Sequence, residues 1–185
     1  AFRKIRTFDD EILRRRCRHV DKVDDRIRGI LEDMTETMYN TPNSGGLAVC
    51  QVGILKRLVV IDLGEDLIKL VNPQILKRDG EQLVAEGCLS FLGVWGITNR
   101  PNSVVTTYLN EYGERIVLSG RGAMAKCLSH EIDHLDGILY IDRVEEQKLE
   151  AEVEAKKEAE VKKAEPKKVE KAVEVKTVAK KEDKA

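Results

Sequence analysis

The chain has 185 residues, a formal net charge of −1 and 35% charged residues. That length suits one domain with an extension, and without a basic excess there is no electrostatic case for specific nucleic-acid binding. No apolar run approaches the roughly 20 residues of a membrane span, and the opening AFRKIRTFDD lacks the apolar core of a signal peptide, so a cytoplasmic protein without a membrane partner is the expectation.

Residues 1 to 22 read as an entry arm with a short helical turn near Asp9 to Cys17. Asp24 or Asp25 can cap a helix. Ile27, Ile30, Leu31, Met34 and Met38 then recur at helical spacing through Tyr39, which predicts an amphipathic N-terminal helix packed on the core. Thr41 to Gly46 breaks it. Gly46 to Gly53 is small and apolar with one amide side chain, Gln51, and its glycines admit close approach of a ligand backbone.

Strands are predicted at Leu58 to Leu63, Ile68 to Asn72 (closed by Pro73), Gln74 to Lys77 and Gln82 to Glu86. Val104 to Leu109 and Arg115 to Leu118 flank a Gly-containing hairpin loop at Asn110 to Gly113. A helix then carries His130-Glu131-Ile132-Asp133-His134 and ends at Gly137, with Ile138 to Ile141 as a last strand. The pattern is α+β, with mostly antiparallel strands around a central HExxH helix. This domain is expected over residues 1 to 144. From Glu145 on, twelve Lys face twelve acidic residues, with no aromatic and no Gly. Residues 145 to 185 therefore read as a charged extension, helical up to Glu165 and disordered beyond Pro166. The four Cys contain no CxxC pair, so neither a disulfide framework nor a structural zinc knuckle is expected.

His130 and His134 lie one helical turn apart on one face, a spacing that lets both imidazoles bind a single metal ion. Glu131, beside the first of them, can take and return the proton of a metal-activated water. The chain has three His in all, and two fall in this pattern, which weighs against a surface helix carrying them by chance. The third ligand decides the class. In a metzincin-like pattern it would fall at Tyr140, a poor zinc ligand. A downstream Glu, as in thermolysin-like enzymes, would have to come from the extension. An upstream donor remains, in Glu86-Gly87-Cys88-Leu89-Ser90.

Three stretches stand in order: Gly46-Leu47-Ala48-Val49-Cys50-Gln51, Glu86-Gly87-Cys88-Leu89-Ser90 and His130-Glu131-Ile132-Asp133-His134. They resemble the three motifs of peptide deformylases, written GxGLAAxQ, EGCLS and QHExDHLxG. The resemblance covers nearly all of residues 1 to 144 and implies a hydrolase that removes the formyl group from the N-terminal formyl-methionine of nascent chains. It implies one divalent metal held by Cys88, His130 and His134, with Fe(2+) native and Zn(2+), Ni(2+) or Co(2+) as substitutes. It implies Glu131 as acid/base, Gln51 and the Leu89 backbone as oxyanion donors, and Gly45, Gly46, Glu86 and Gly87 as walls for N-formyl-methionyl peptides. Ribosome contact through the extension is compatible with it, although balanced charge argues against RNA contact.

Cys17, Cys50 and Cys127 are assigned to packing, with Cys127 also a candidate wall of the methionine pocket. Arg100 and Asp133 are read as an ion pair steadying the metal helix. Ser44, Val49, Leu92, Trp95 and Ser129 depart from the family pattern, Trp95 standing where many members carry an Arg. None removes a ligand, the acid/base or the oxyanion donor. Two other readings share these residues: a metalloamidase or peptidase with another substrate, and a formyl-peptide-binding module. Binding alone would not need Glu131.

Overall fold

A computed structural model of the chain describes residues 1–145, so the predicted extension lies, Glu145 apart, outside the described residues. The elements run in the order α1 (Asp25–Tyr39), β1 (Gly46–Ala48), β2 (Leu58–Ile61), β3 (Ile68–Asp79), β4 (Gln82–Cys88), β5 (Phe91–Arg100), β6 (Ser103–Leu109), β7 (Arg115–Arg121) and α2 (Ala123–Leu135). Three short 3₁₀ turns accompany them, at Glu11–Arg14, Val49–Val52 and Tyr140–Arg143. Five strands form one sheet in the order β1-β2-β3-β6-β7, and β4 and β5 pair separately. Every ladder between these strands is antiparallel. The fold is α+β, as expected. Among the described residues no helix is long and apolar enough to cross a membrane.

α1 starts at Asp24, whose side chain accepts the Ile27 N–H at 3.0 Å, the bond that a helix-capping Asp supplies. Its buried face is Ile27, Ile30, Leu31, Met34 and Met38, the stripe that the 3.6-residue period predicts. These side chains join Leu47, Leu58 to Ile61, Leu70, Val71 and Leu128 in one hydrophobic cluster. α1 and α2 both pack on β1 and β2, so the edge strand bearing Gly46 is held by β2 on one side and by both helices.

Pro73 does not end a strand. β3 runs through it because Asn72 and Pro73 face only Tyr108 across the ladder, a bulge that leaves no sheet hydrogen bond for Pro to break. Asn72 takes a positive φ of 50° there. Its side chain clamps Val20 through two hydrogen bonds of 2.8 Å, one to the Val20 N–H and one to the Val20 carbonyl.

Three further differences bear on the site. β5 is a full strand that alternation does not reveal, because Leu92, Gly93, Val94 and Trp95 break the period of two. The strand expected at Ile138 to Ile141 is instead a loop and the 3₁₀ turn Tyr140–Arg143. That turn lets Tyr140 point inward, 2% exposed, which a strand on the surface would not. The ordered fold also continues one residue past the expected boundary: Val144 bridges Thr98, and the Glu145 N–H donates to the Ile97 carbonyl at 2.9 Å.

Candidate active site

α2 is buried nearly all round, including Ser129, His130, Glu131, Asp133 and His134. Five buried polar side chains on one helix need partners, or they would cost several kcal/mol. Following those partners builds the site.

His130 Nδ1 donates to Glu86 Oε1 at 2.5 Å, which leaves Nε2 facing the cavity. Cys88 comes from the end of β4, where the tight link to β5 turns its thiol toward α2. The Cys88 sulfur and one ring nitrogen from each of His130 and His134 lie within 4.8 Å of one another. The sulfur is 3.4 Å from His134 Nε2. One sulfur and two imidazoles gathered this closely suit a tetrahedral transition-metal site with one position left for water or substrate. The predicted ligands are thus brought together from two elements 42 residues or more apart in the chain.

Glu131 lies on the cavity wall with Oε2 buried and without a hydrogen-bond partner. Burial pushes its carboxyl up to about 7, a value suited to exchanging a proton near neutral pH. Burial also holds His134 neutral, its pKa well below the ordinary histidine value. Gln51 sits in the 3₁₀ turn after β1 and is 1% exposed. Its Oε1 accepts the Ala48 N–H at 3.0 Å, which fixes the amide orientation and turns Nε2 toward Ser90 Oγ (3.2 Å) and Cys88 Sγ (3.5 Å). Leu89 follows Cys88 on the same wall.

The walls explain the glycines. A Cβ at Gly46 would stand 2.9 Å from both the Cys127 sulfur and Glu131 Oε1. Gly45, Gly46, Gly87 and Cys127 all line the cavity, which measures about 390 Å³. Burial pushes the Cys127 thiol far above its ordinary value, in keeping with a packing role. Cys50 and Cys17 are buried against the end of α2, the Cys50 thiol 3.5 Å from the His134 carbonyl and the Cys17 N–H 2.8 Å from that of Leu135.

Glu86 lines the cavity beside Gly87, and its carboxylate is taken up by His130, by Arg100 (Nη2 to Oε1 at 2.6 Å, Nε to Oε2 at 2.9 Å) and by the Thr98 hydroxyl. Burial alone would raise this carboxyl, but the bonds from His130 and Arg100 outweigh it and hold the group well below the usual carboxylate range. Arg100 also donates to Asp133 at 2.7 Å, the pair expected from the sequence, and Arg143 adds bonds of 2.6 and 3.0 Å to the same carboxylate. Tyr140 stacks on His130 with ring centroids 6.0 Å apart and donates its hydroxyl to the Val94 carbonyl at 2.9 Å.

Thr98, Arg143, Tyr140 and Ser90 escape the sequence reading. Thr98 and Arg100 are two residues apart on one strand, so they share a face toward Glu86. That signal exists only once β5 is recognised.

The polypeptide deformylase family pattern matches residues 2–150. Peptide deformylase 2 of Clostridium acetobutylicum is 58% identical over 146 residues, which cover 79% of this chain and 97% of that protein. The peptide deformylase of Acetivibrio thermocellus is 51% identical over 158 residues, 85% of this chain and 92% of that one. The crystal structure of the peptide deformylase from Thermotoga maritima superposes with a TM-score of 0.76 at 38% identity, covering 78% of this chain and 99% of its own. With sequence pattern, relatives and fold in agreement over the whole described region, the chain belongs to the polypeptide deformylase family, enzymes that remove the formyl group from the N terminus of new polypeptides.

Proposed function

We propose that Cys88, His130 and His134 hold one divalent metal ion and that the formyl group of N-formyl-methionyl peptides is removed beside it. The observation that carries this reading is the convergence beside one cavity of one thiol, two imidazoles, a buried carboxylate oxygen without a partner among the described residues and an oriented amide. The donor set fits Fe(2+) as the native metal, with Zn(2+), Ni(2+) or Co(2+) as substitutes. When bound, the metal supplies Lewis-acid activation of water for attack on the formyl carbon.

The chain's own groups do the rest. Glu131 takes the proton of the attacking water and returns it to the amine nitrogen as the C–N bond breaks. Negative charge develops on the formyl oxygen, where Gln51 Nε2 and the Leu89 N–H donate. Gly45, Gly46 and Gly87 leave room for the substrate backbone to lie strand-like against β1 and β4. Glu86, Arg100 and Asp133 hold the His130 ring and the helix in place. Substrates that arise on ribosomes place the enzyme in the cytoplasm, and a ribosome contact through the residues after Glu145 belongs to the same reading.

The test is formate release from formyl-Met-Ala-Ser by anaerobically purified, iron-loaded protein. Formate and free Met-Ala-Ser should appear in equal amounts. Folded, metal-loaded protein that releases none would overturn the reading.

A further inference from the structure

Gln51 stands in the 3₁₀ turn Val49–Val52, a short element whose own hydrogen bonds are poorly aligned and hold it weakly. The Ile54 N–H, which would continue the turn by bonding the Gln51 carbonyl, bonds the Val49 carbonyl instead, at 3.3 Å. The Gln51 carbonyl turns to the entry arm and accepts the Arg6 N–H at 2.7 Å. Gln51 is buried, and a buried carbonyl needs such a partner.

The Arg6 side chain covers the end of the same turn. Gly53 closes it at a φ of 87°, and a Cβ there would stand 2.8 Å from Arg6 Nη2 and 3.0 Å from Arg6 Nε. Asp10 holds the guanidinium in that place (Nη1 to Oδ2 at 3.3 Å), while its other oxygen caps the first 3₁₀ turn at the Ile12 N–H (3.0 Å). The arm is fixed on both sides of Arg6. The Arg3 N–H donates to Thr37 Oγ1 at 2.9 Å, and the Cys17 N–H to the Leu135 carbonyl at 2.8 Å. None of residues 1–24 lines the reaction cavity, so whatever Arg6 does for the reaction passes through Gln51.

We infer that Arg6 is a positioning residue for Gln51: its N–H and guanidinium fix the turn, so that Gln51 Nε2 keeps its aim on the formyl oxygen while negative charge develops there. The inference rests on the deformylase reading of the site. The Ala48 N–H fixes the amide at Oε1, and the Arg6 N–H fixes the backbone that carries the amide. An oxyanion donor works by standing in place beforehand, and a misplacement of about 1 Å at a reacting centre costs on the order of 10²-fold in rate. Such a donor acts in the transition state, so loosening it lowers kcat and leaves KM where it was.

The experiment is a double-mutant cycle on iron-loaded full-length enzyme with formyl-Met-Ala-Ser. Arg6→Pro removes the N–H and the guanidinium, and Arg6→Ala removes the guanidinium alone. With Gln51 in place, Arg6→Pro should lower kcat by roughly 10-fold or more and Arg6→Ala by roughly three-fold, both short of the 10²- to 10³-fold that a lost oxyanion donor costs. KM and metal content should stay the same. In the Gln51→Ala background each Arg6 change should cost less than about two-fold in kcat, because residues that act as one unit do not add.

A merely structural role for Arg6 would cost the same in both backgrounds. Additive losses therefore overturn the inference and leave the deformylase reading standing, as does an unmoved kcat or a loss confined to KM or metal content. Where Arg6→Pro does not fold, the Arg6→Ala cycle decides by the same criterion. The side-chain amide protons of Gln51, assigned by their loss in Gln51→Ala, give a readout without turnover in the magnetic resonance spectrum of zinc-loaded protein. Arg6→Ala should shift or broaden them, and unmoved signals overturn the inference. No formate from the unaltered chain overturns the deformylase reading and the inference together.

Discussion

Glu131 and His130 are neighbours in sequence, yet the fold gives them opposite company. His130 Nδ1 is bonded to Glu86, whereas Glu131 Oε2 has no hydrogen-bond partner among the described residues. A buried carboxylate with one oxygen left open is poised for proton transfer rather than for support. Glu131→Gln should therefore keep its metal and lose roughly 10²- to 10⁴-fold in kcat; elemental analysis alongside formate release checks both halves. Gln51→Ala should cost roughly 10²- to 10³-fold in kcat, the usual worth of one oxyanion donor. Glu86→Gln should act differently, weakening metal affinity by roughly 10- to 100-fold through a misdirected His130. Chelator competition would show it, and unchanged affinity would mean that the Glu86 bond does not orient the ring.

The elements hold these side chains through a few tight contacts. β1 must carry Gly46, because Cys127 and Glu131 occupy the space of a side chain there. Gly46→Ala should leave the thermal midpoint within a few degrees but depress turnover by an order of magnitude or more, since roughly 1–3 kcal/mol of crowding falls on the acid/base itself; an active, stable Gly46→Ala protein would contradict this. The 3₁₀ turn that brings Tyr140 inward is tied to the entry arm by Asp142, whose carboxylate takes two bonds from Arg14, at 2.5 and 3.1 Å, and caps Leu139. The Arg14 bond, chiefly, holds the Asp142 carboxyl below its ordinary value. A depressed carboxyl contributes stability above its unfolded pKa and loses it as the pH falls through the folded one. The pair is partly exposed, so Asp142→Asn should cost only about 0.5–1 kcal/mol at pH 7, and the cost should vanish in acid. Thermal midpoints of both proteins across that range decide it.

For the whole molecule, the boundary matters most. The ladder of β5 is extended by Val144 and Glu145, and the family match runs to residue 150. No group in the proposed mechanism comes from later in the chain. A chain ending at residue 150 should keep its metal content and its turnover on short formyl peptides. Comparison of the two lengths on free peptide and in ribosome co-sedimentation separates catalysis from docking. A large loss on free peptide would show that the later residues belong to the catalytic fold.

By itself, the sequence determined what depends on local spacing. The i,i+4 histidines, the stripe of α1, its Asp24 cap and most strands follow from periods of 3.6 and 2, which neighbouring residues impose without reference to the rest of the chain. Three ordered motifs named the metal-binding and acid/base candidates. Only the tertiary structure decided what those residues face. The bulge at Asn72 carries a strand through Pro73, and the irregular opening of β5 hides it from alternation. The carboxylate of Glu86 turns to Arg100 and Thr98 as well as to His130, because a buried charge takes the nearest strong donors, and two of these come from a strand that sequence periodicity does not reveal. Trp95 remains in the open for the complementary reason: the register of β4 against β5, which no local pattern encodes, leaves it no interior to enter.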